Sequence, residues 1–167
     1  AIGLVGSEMC IRDSHNSGVK AFTNSYSCEE SSEMIMNSLL YLNQIDTLLL
    51  TKPKDRSFSD GVVNNGYYSN TVGLKGIPRI SESIAVERDL SILEYVGGKI
   101  HFSGISTKES VSIIRDAKTK KLNVTCDVPI HNLILDDSNV VSFDPNYKVD
   151  PPLRTKDDMD ALIEGIN

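Results

Sequence analysis

Residues 99–107 read K-I-H-F-S-G-I-S-T, an apolar-rich run that ends at a glycine and passes directly into a helix signal. Ser106, with Glu109 three residues on, has the spacing of a capping box, so the stretch predicts a strand, a tight turn and a helix. Upstream, Gly97-Gly98 closes a helix that starts near Pro78 and carries Ile80, Ile84, Leu90 and Leu93. Downstream, a helix from Thr107 to about Lys120 presents Val111, Ile114 and Ala117 on one face, and residues 122–128 (L-N-V-T-C-D-V) form the next strand. In folds built from such units the side chains at the C-terminal ends of the strands line the ligand site. Ser103, Gly104 and Ile105 therefore stand where chemistry is expected, and the central one is a glycine.

The N-terminal half repeats the pattern. Residues 19–24 (V-K-A-F-T-N) are β-prone, and Ser27 with Glu30 predicts the cap of a helix that runs to about Ile45 with Met34, Ile35, Leu39 and Leu42 at helical spacing. Residues 47–51 (T-L-L-L-T) are a continuous apolar run, the pattern of a strand buried on both faces, and Lys52-Pro53 ends it. Residues 56–78 read as a long loop with a turn at Asn65-Gly66, kept ordered by Tyr67, Tyr68, Val72, Leu74 and Ile77. Residues 129–154 are irregular, after which Thr155 and Asp158 cap a last helix through Ile166. The order β-α-β-loop-α-β-α-β-loop-α implies helical crossovers between parallel strands, hence a doubly wound sheet or a barrel.

The 167 residues are 40% apolar and 24% charged, the balance of a globular domain with a sizeable core. No apolar run is long enough to span a bilayer and no secretory leader is evident, so a cytoplasmic protein is expected, with no membrane partner. The formal charge is −6, and the one short basic cluster, Lys118, Lys120 and Lys121, ends a predicted helix where cations suit its dipole. Nucleic-acid binding is excluded on that ground. Cys10, Cys28 and Cys126 are odd in number, far apart and without a CxxC pair, which suggests neither a disulfide framework nor a zinc cluster.

Residues 1–14 (A-I-G-L-V-G-S-E-M-C-I-R-D-S) do not share this design. The run L-V-G-S-E-M-C-I-R-D resembles translated sequencing-adapter sequence, so 1–14 is set apart as a non-native leader and 15–167 is taken as the folded unit. The alternative is a short native strand or helix.

From Gly18 onward the chain resembles a dihydroorotase of the amidohydrolase superfamily. The resemblance is carried by G-V-K-A-F-T-N (18–24), G-V-V-N-N-G (61–66), G-L-K-G-I-P (73–78), H-F-S-G-I-S-T (101–107), N-V-T-C-D-V (123–128) and N-Y-K-V-D-P-P-L-R (146–154). It implies an α/β fold, a partial (β/α)8 TIM barrel of the metal-dependent amidohydrolase type. A full barrel takes about 250 residues, so these supply about four parallel strands with helical crossovers, roughly strands four to seven, as an internal fragment.

In such hydrolases zinc needs imidazole and carboxylate ligands around an open position, because it polarises the amide carbonyl and lowers the pKa of the attacking water to about 7. The resemblance places three ligand positions in this chain, now Asn24, Lys52 and Gly104, where the family has an acidic residue and two histidines. A family glutamate falls on Lys54. No metal is therefore expected, zinc being the cofactor of active relatives. His101 is expected to face away from the barrel centre if Gly104 faces it, since residues three apart on a strand point to opposite faces. His131, Asn132, Asn146, Lys148, Asp150 and Arg154 are the possible residual substrate-side positions, with Asp150 replacing a family amide. Its charge would oppose a carboxylate substrate unless Arg154 or Lys148 offsets it.

The expectation is a dihydroorotase-like protein of pyrimidine biosynthesis, catalytically inactive, with a structural or assembly role. Aspartate carbamoyltransferase or a second copy is the expected partner. The alternative is a functional dihydroorotase or other cyclic-amide hydrolase, with His131 as its general base. Lys52 and Lys54 gripping a carboxylate or phosphate is a third reading.

Overall fold

The computed structural model describes residues 8–23, 31–58 and 60–166. Among them, four parallel strands form one sheet in the order β1 (Ala21–Thr23), β2 (Leu48–Thr51), β5 (Ile100–Phe102) and β6 (Val124–Cys126). The register pairs Phe22 with Leu49, Leu49 with Ile100 and Ile100 with Val124. Helices α2 (Ser32–Gln44), α4 (Ile80–Val96) and α5 (Lys108–Thr119) connect these strands in turn, and α6 (Lys156–Ile166) follows. This is part of an α/β barrel wall.

The core lies between the sheet and its helices. Phe22, Leu49, Ile100, Phe102 and Val124 point to one face and pack with Ile35, Leu39 and Leu42 of α2, Val86, Leu90 and Leu93 of α4, and Ile114 and Ala117 of α5. Period-two alternation sends Leu48, Leu50, His101 and Thr125 to the opposite face, where they are half-buried or exposed. Within these four strands the T-L-L-L-T strand is buried on its helix side, and Leu48 and Leu50 are half-buried on the other. Truncating a fully buried member such as Leu49 to Ala would cost about 2–5 kcal/mol.

Ser31 caps α2 by accepting from Met34 N at 3.1 Å; the Ser27–Glu30 box lies outside the described residues. Thr107, not Ser106, caps α5, its hydroxyl accepting from Ser110 N. Thr155 and Asp158 do form the reciprocal cap of α6. Residues 8–14, set apart in the sequence reading, lie in α1 (Glu8–Asn16), whose Ile11 joins the core.

The long loop of residues 56–78 is more structured than its composition indicates. It holds β3 (Val63–Asn64), α3 (Tyr67–Val72) and β4 (Gly76–Ile77), with β3 and β4 paired in parallel. A Cβ at Gly76 would sit 2.5 Å from Asn65 Cα, so only glycine permits this approach.

Candidate functional site

Parallel strands end together, and the ends of β2 and β5 set the site. Ser103 N donates to Thr51 O at 2.8 Å, and Lys52 and Gly104, which follow these strand ends, line one cleft. Asn24, directly after β1, lies outside the described residues. The cleft is also lined by Lys54, Glu82, Asp150, Pro151 and Arg154 and has a volume of about 20 Å³. That is room for about one water molecule.

A compact ion cluster occupies this cleft. Lys52 Nζ donates to Asp150 Oδ2 at 2.8 Å and to the Asp150 carbonyl oxygen at 3.1 Å, and Lys54 Nζ reaches Asp150 Oδ1 at 3.3 Å. Burial would raise the Asp150 carboxyl, but the bonds and charges of Lys52 and Lys54 outweigh it and hold the group below its ordinary value. The charge at Asp150 is therefore offset by these two lysines rather than by Arg154 or Lys148, the partners expected from the sequence.

Arg154 lines the cleft, yet it serves a second, buried network. Its guanidinium donates to Ser106 Oγ at 3.1 Å, Asn64 Oδ1 at 2.9 Å and the Ile77 carbonyl at 2.8 Å. Asn64 Nδ2 in turn donates to Asp137 Oδ2 at 2.8 Å. Beside it, the Glu82 carboxylate accepts from the backbone and hydroxyl groups of both Ser106 and Thr107. Glu82 and Arg154 are each 3% exposed, and their work is to hold the β5–α5 turn, the β3–β4 insertion and the 154 segment together. Sequence reasoning missed this network. Its signal was a charged residue inside an apolar helix stripe, since Glu82, Val86, Asp89 and Leu93 share one face of α4.

The third cluster lies on the sheet face opposite the helices. His101 bonds Thr125 Oγ1 through Nδ1 (2.7 Å) and Asp127 Oδ2 through Nε2 (3.1 Å). Asp127 also accepts from Ser103 Oγ at 3.1 Å and Gly104 N at 2.6 Å. Burial would raise the Asp127 carboxyl, and these bonds hold it below its ordinary value. His101 therefore shares the face of Leu50 rather than turning away from the barrel centre. The alternation argument fails because Gly104, at φ +77°, has already left the strand conformation.

The remaining candidates divide. Asn132 is buried and donates to the Pro152 carbonyl at 3.1 Å, while its Oδ1 has no partner. His131 Nε2 is also buried without a partner, and burial lowers its pKa. Asn146 and Lys148 are exposed, and Lys148 lines a separate apolar cavity of about 220 Å³ with Val63, Val140 and Phe143.

The sequence matches the family model described as dihydro-orotase-like over residues 5–110. It is 37% identical over 166 residues to a dihydroorotase of Caldicellulosiruptor saccharolyticus, covering 98% of this chain and 39% of that protein. The chain belongs to the dihydroorotase-like family. It is also 41% identical over 137 residues to a dihydroorotase of Thermoanaerobacter sp. (strain X514), covering 81% of this chain and 32% of that one. The chain spans between about a third and two fifths of the length of the curated relatives it matches. Its fold is that of a D-hydantoinase crystal structure, with TM-score 0.81 at 17% identity over 99% of this chain and 39% of that one. The L-hydantoinase (dihydropyrimidinase) of Arthrobacter aurescens gives TM-score 0.80 at 18% identity, over 96% and 38% of the two chains. These barrels match the fold expected from the sequence.

Within this dihydroorotase-like frame, zinc would need lone-pair donors at the ends of β2 and β5. A protonated lysine and a glycine offer none, so Lys52 and Gly104 do not fit the ion. Among the described residues no group of three or more His, Cys, Asp or Glu converges closely enough to hold a metal. Nor is any described helix long and apolar enough to cross a membrane.

Proposed function

We propose that this chain is the barrel segment of a dihydroorotase-like protein that does not hydrolyse dihydroorotate and acts in structure or assembly. The observation that carries the reading is the Lys52–Asp150 ion pair in the cleft between β2 and β5. Lys52 and Lys54 against the single Asp150 carboxylate leave the cluster one positive charge in excess, and neither ammonium has a lone pair to give a metal. The retained caps and packed core fit a scaffold that serves without the chemistry. Self-association or pairing with an aspartate carbamoyltransferase is the assembly proposed, in the cytoplasm.

A second reading is supported by His131. Burial lowers its pKa, which favours the neutral imidazole that a general base for a metal-free cyclic-amide hydrolase needs. Its Nε2 is buried and it does not line the cleft, so this reading requires a rearrangement that exposes it. Metal analysis of the purified full-length protein beside a ureide-hydrolysis assay decides. Stoichiometric zinc with turnover rejects the inactive reading, turnover without metal that is lost in His131→Ala favours the second, and the first expects neither metal nor turnover.

A further inference from the structure

We propose that the apolar cavity of about 220 Å³ between the β3–β4 insertion and residues 140–148 binds a small one-ring aromatic carboxylate, with the ring against Val63, Leu74 and Val140 and the carboxylate on Lys148. The cavity shares no lining residue with the Lys52–Asp150 cleft, so the proposal stands whether or not the chain hydrolyses dihydroorotate.

Two features set this cavity apart from ordinary apolar surface. Phe143 lines it while 63% exposed, and its φ of +54° lies in the left-handed region that a bulky side chain avoids. Among the described residues the other non-glycine positions with positive φ are Asp46 and Lys121, both polar. An aromatic ring held in a disfavoured backbone conformation with most of its surface in water is not explained by the packing of the chain, and such outliers gather at functional positions. Lys148 is the second feature. It is exposed at the cavity, and among the described residues no carboxylate pairs with its ammonium, unlike those of Lys75, Lys99 and Lys120.

Asp144, the other charged group at the cavity, already accepts from Asn146 N at 2.9 Å. Lys148 therefore offers free donors to an anion while Asp144 repels one, which sets the end at which the carboxylate sits. The two walls are joined by the buried bond from Asn64 Nδ2 to Asp137 Oδ2, so the chamber is formed before a ligand arrives. Its volume is below the about 300–1,000 Å³ of sites for drug-sized molecules, which limits the ligand to about one ring. A ureide ring would give up its hydrogen bonds to water against Val63, Leu74 and Val140, so these walls select against dihydroorotate.

The test is an NMR titration of the full-length protein with phenylacetate. Saturable binding with a dissociation constant of about 1 mM or tighter is expected for a ligand of this size. Lys148→Ala should weaken it about two- to fivefold, the span of an exposed ion pair, and Asp144→Asn, which keeps the cap, should tighten it. Neutral phenylacetamide should bind the unmodified protein and Lys148→Ala alike. Phe143→Gly removes the ring and suits the positive φ, so it should weaken phenylacetate binding without lowering the melting temperature. Absence of saturation, an affinity unchanged by Lys148→Ala, or dihydroorotate bound as tightly as phenylacetate overturns the proposal. A lower melting temperature of Phe143→Gly with binding intact does the same, because the ring would then serve packing alone. So does binding that weakens with rising protein concentration beside a dimer in sedimentation, since a second copy would then cover the cavity.

Discussion

Lys52 Nζ and the Asp150 carboxylate meet at 2.8 Å across 98 residues of sequence, joining the end of a barrel strand to the loop that precedes the last helix. Asp150 is 50% exposed, so water screens the pair and its worth is about 1 kcal/mol or less. Its pH signature has a definite sign. A carboxyl held below its ordinary value of 3.8 contributes stability above that value and loses it as pH falls through the lowered folded value. The Asp150→Asn variant should therefore unfold with a flatter pH dependence below about pH 4 than the unmodified protein, measured by circular dichroism across an acid titration. Identical slopes would refute the assignment.

Restoring a histidine at residue 104 alone should destabilise the chain without creating a metal site. Gly104 sits at φ +77°, where a side chain costs about 1–2 kcal/mol, and its Cβ would meet Pro151 Cδ at 3.3 Å. Urea unfolding of Gly104→His should show a loss of at least that size. Even the triple restoration Asn24→Asp, Lys52→His, Gly104→His must first shift the backbone at residue 104.

Glu82 is predicted to be far more sensitive than Lys52. Replacing its carboxylate by an amide in Glu82→Gln removes one acceptor from a site that takes two backbone N–H groups and two hydroxyls, all buried. A loss of about 2–4 kcal/mol is expected from the donors left unpaired. Arg154→Met should cost a similar amount. Because Ser106 Oγ touches both groups, the double variant should fall short of the sum. Denaturant midpoints of the four proteins measure the shortfall, and strict additivity would show the two groups to be independent.

Asp89 gives stability the opposite pH dependence. It is fully buried on α4, and burial pushes its pKa up to about 6, against the Arg88 charge and bonds that lower it. For a carboxyl raised in the folded state, stability is fully present below the unfolded value near 3.8 and is lost as pH rises through about 6. The span corresponds to a loss on the order of 3 kcal/mol. Asp89→Asn should abolish this slope between about pH 4 and pH 6, read from urea midpoints at each pH.

Much of the architecture was legible because it is local. The apolar spacing of Ile35, Leu39 and Leu42, the Gly97-Gly98 stop and the Thr155–Asp158 box each act within one or two turns of chain, and each appears where the spacing put it. Elements shorter than a period were missed. β3 and β4 are two residues each and exist through pairing with each other across the α3 turn. The Ser106–Glu109 reading failed for a related reason: Glu82, from another helix, took the Ser106 donors, and Thr107 became the cap.

The sequence by itself determined the parallel α/β order and the family, because helix and strand patterning depends on residue type and near-neighbour spacing and the family motifs are short runs of sequence. Only the tertiary structure decided what individual residues do. Whether Lys52 is a free cation or the partner of Asp150, whether Arg154 faces a substrate or holds Asn64 and Ser106, and which way His101 points depend on groups brought together from distant positions. Electrostatic and hydrogen-bond energies fall off over a few ångströms of space, and separation along the chain does not enter them.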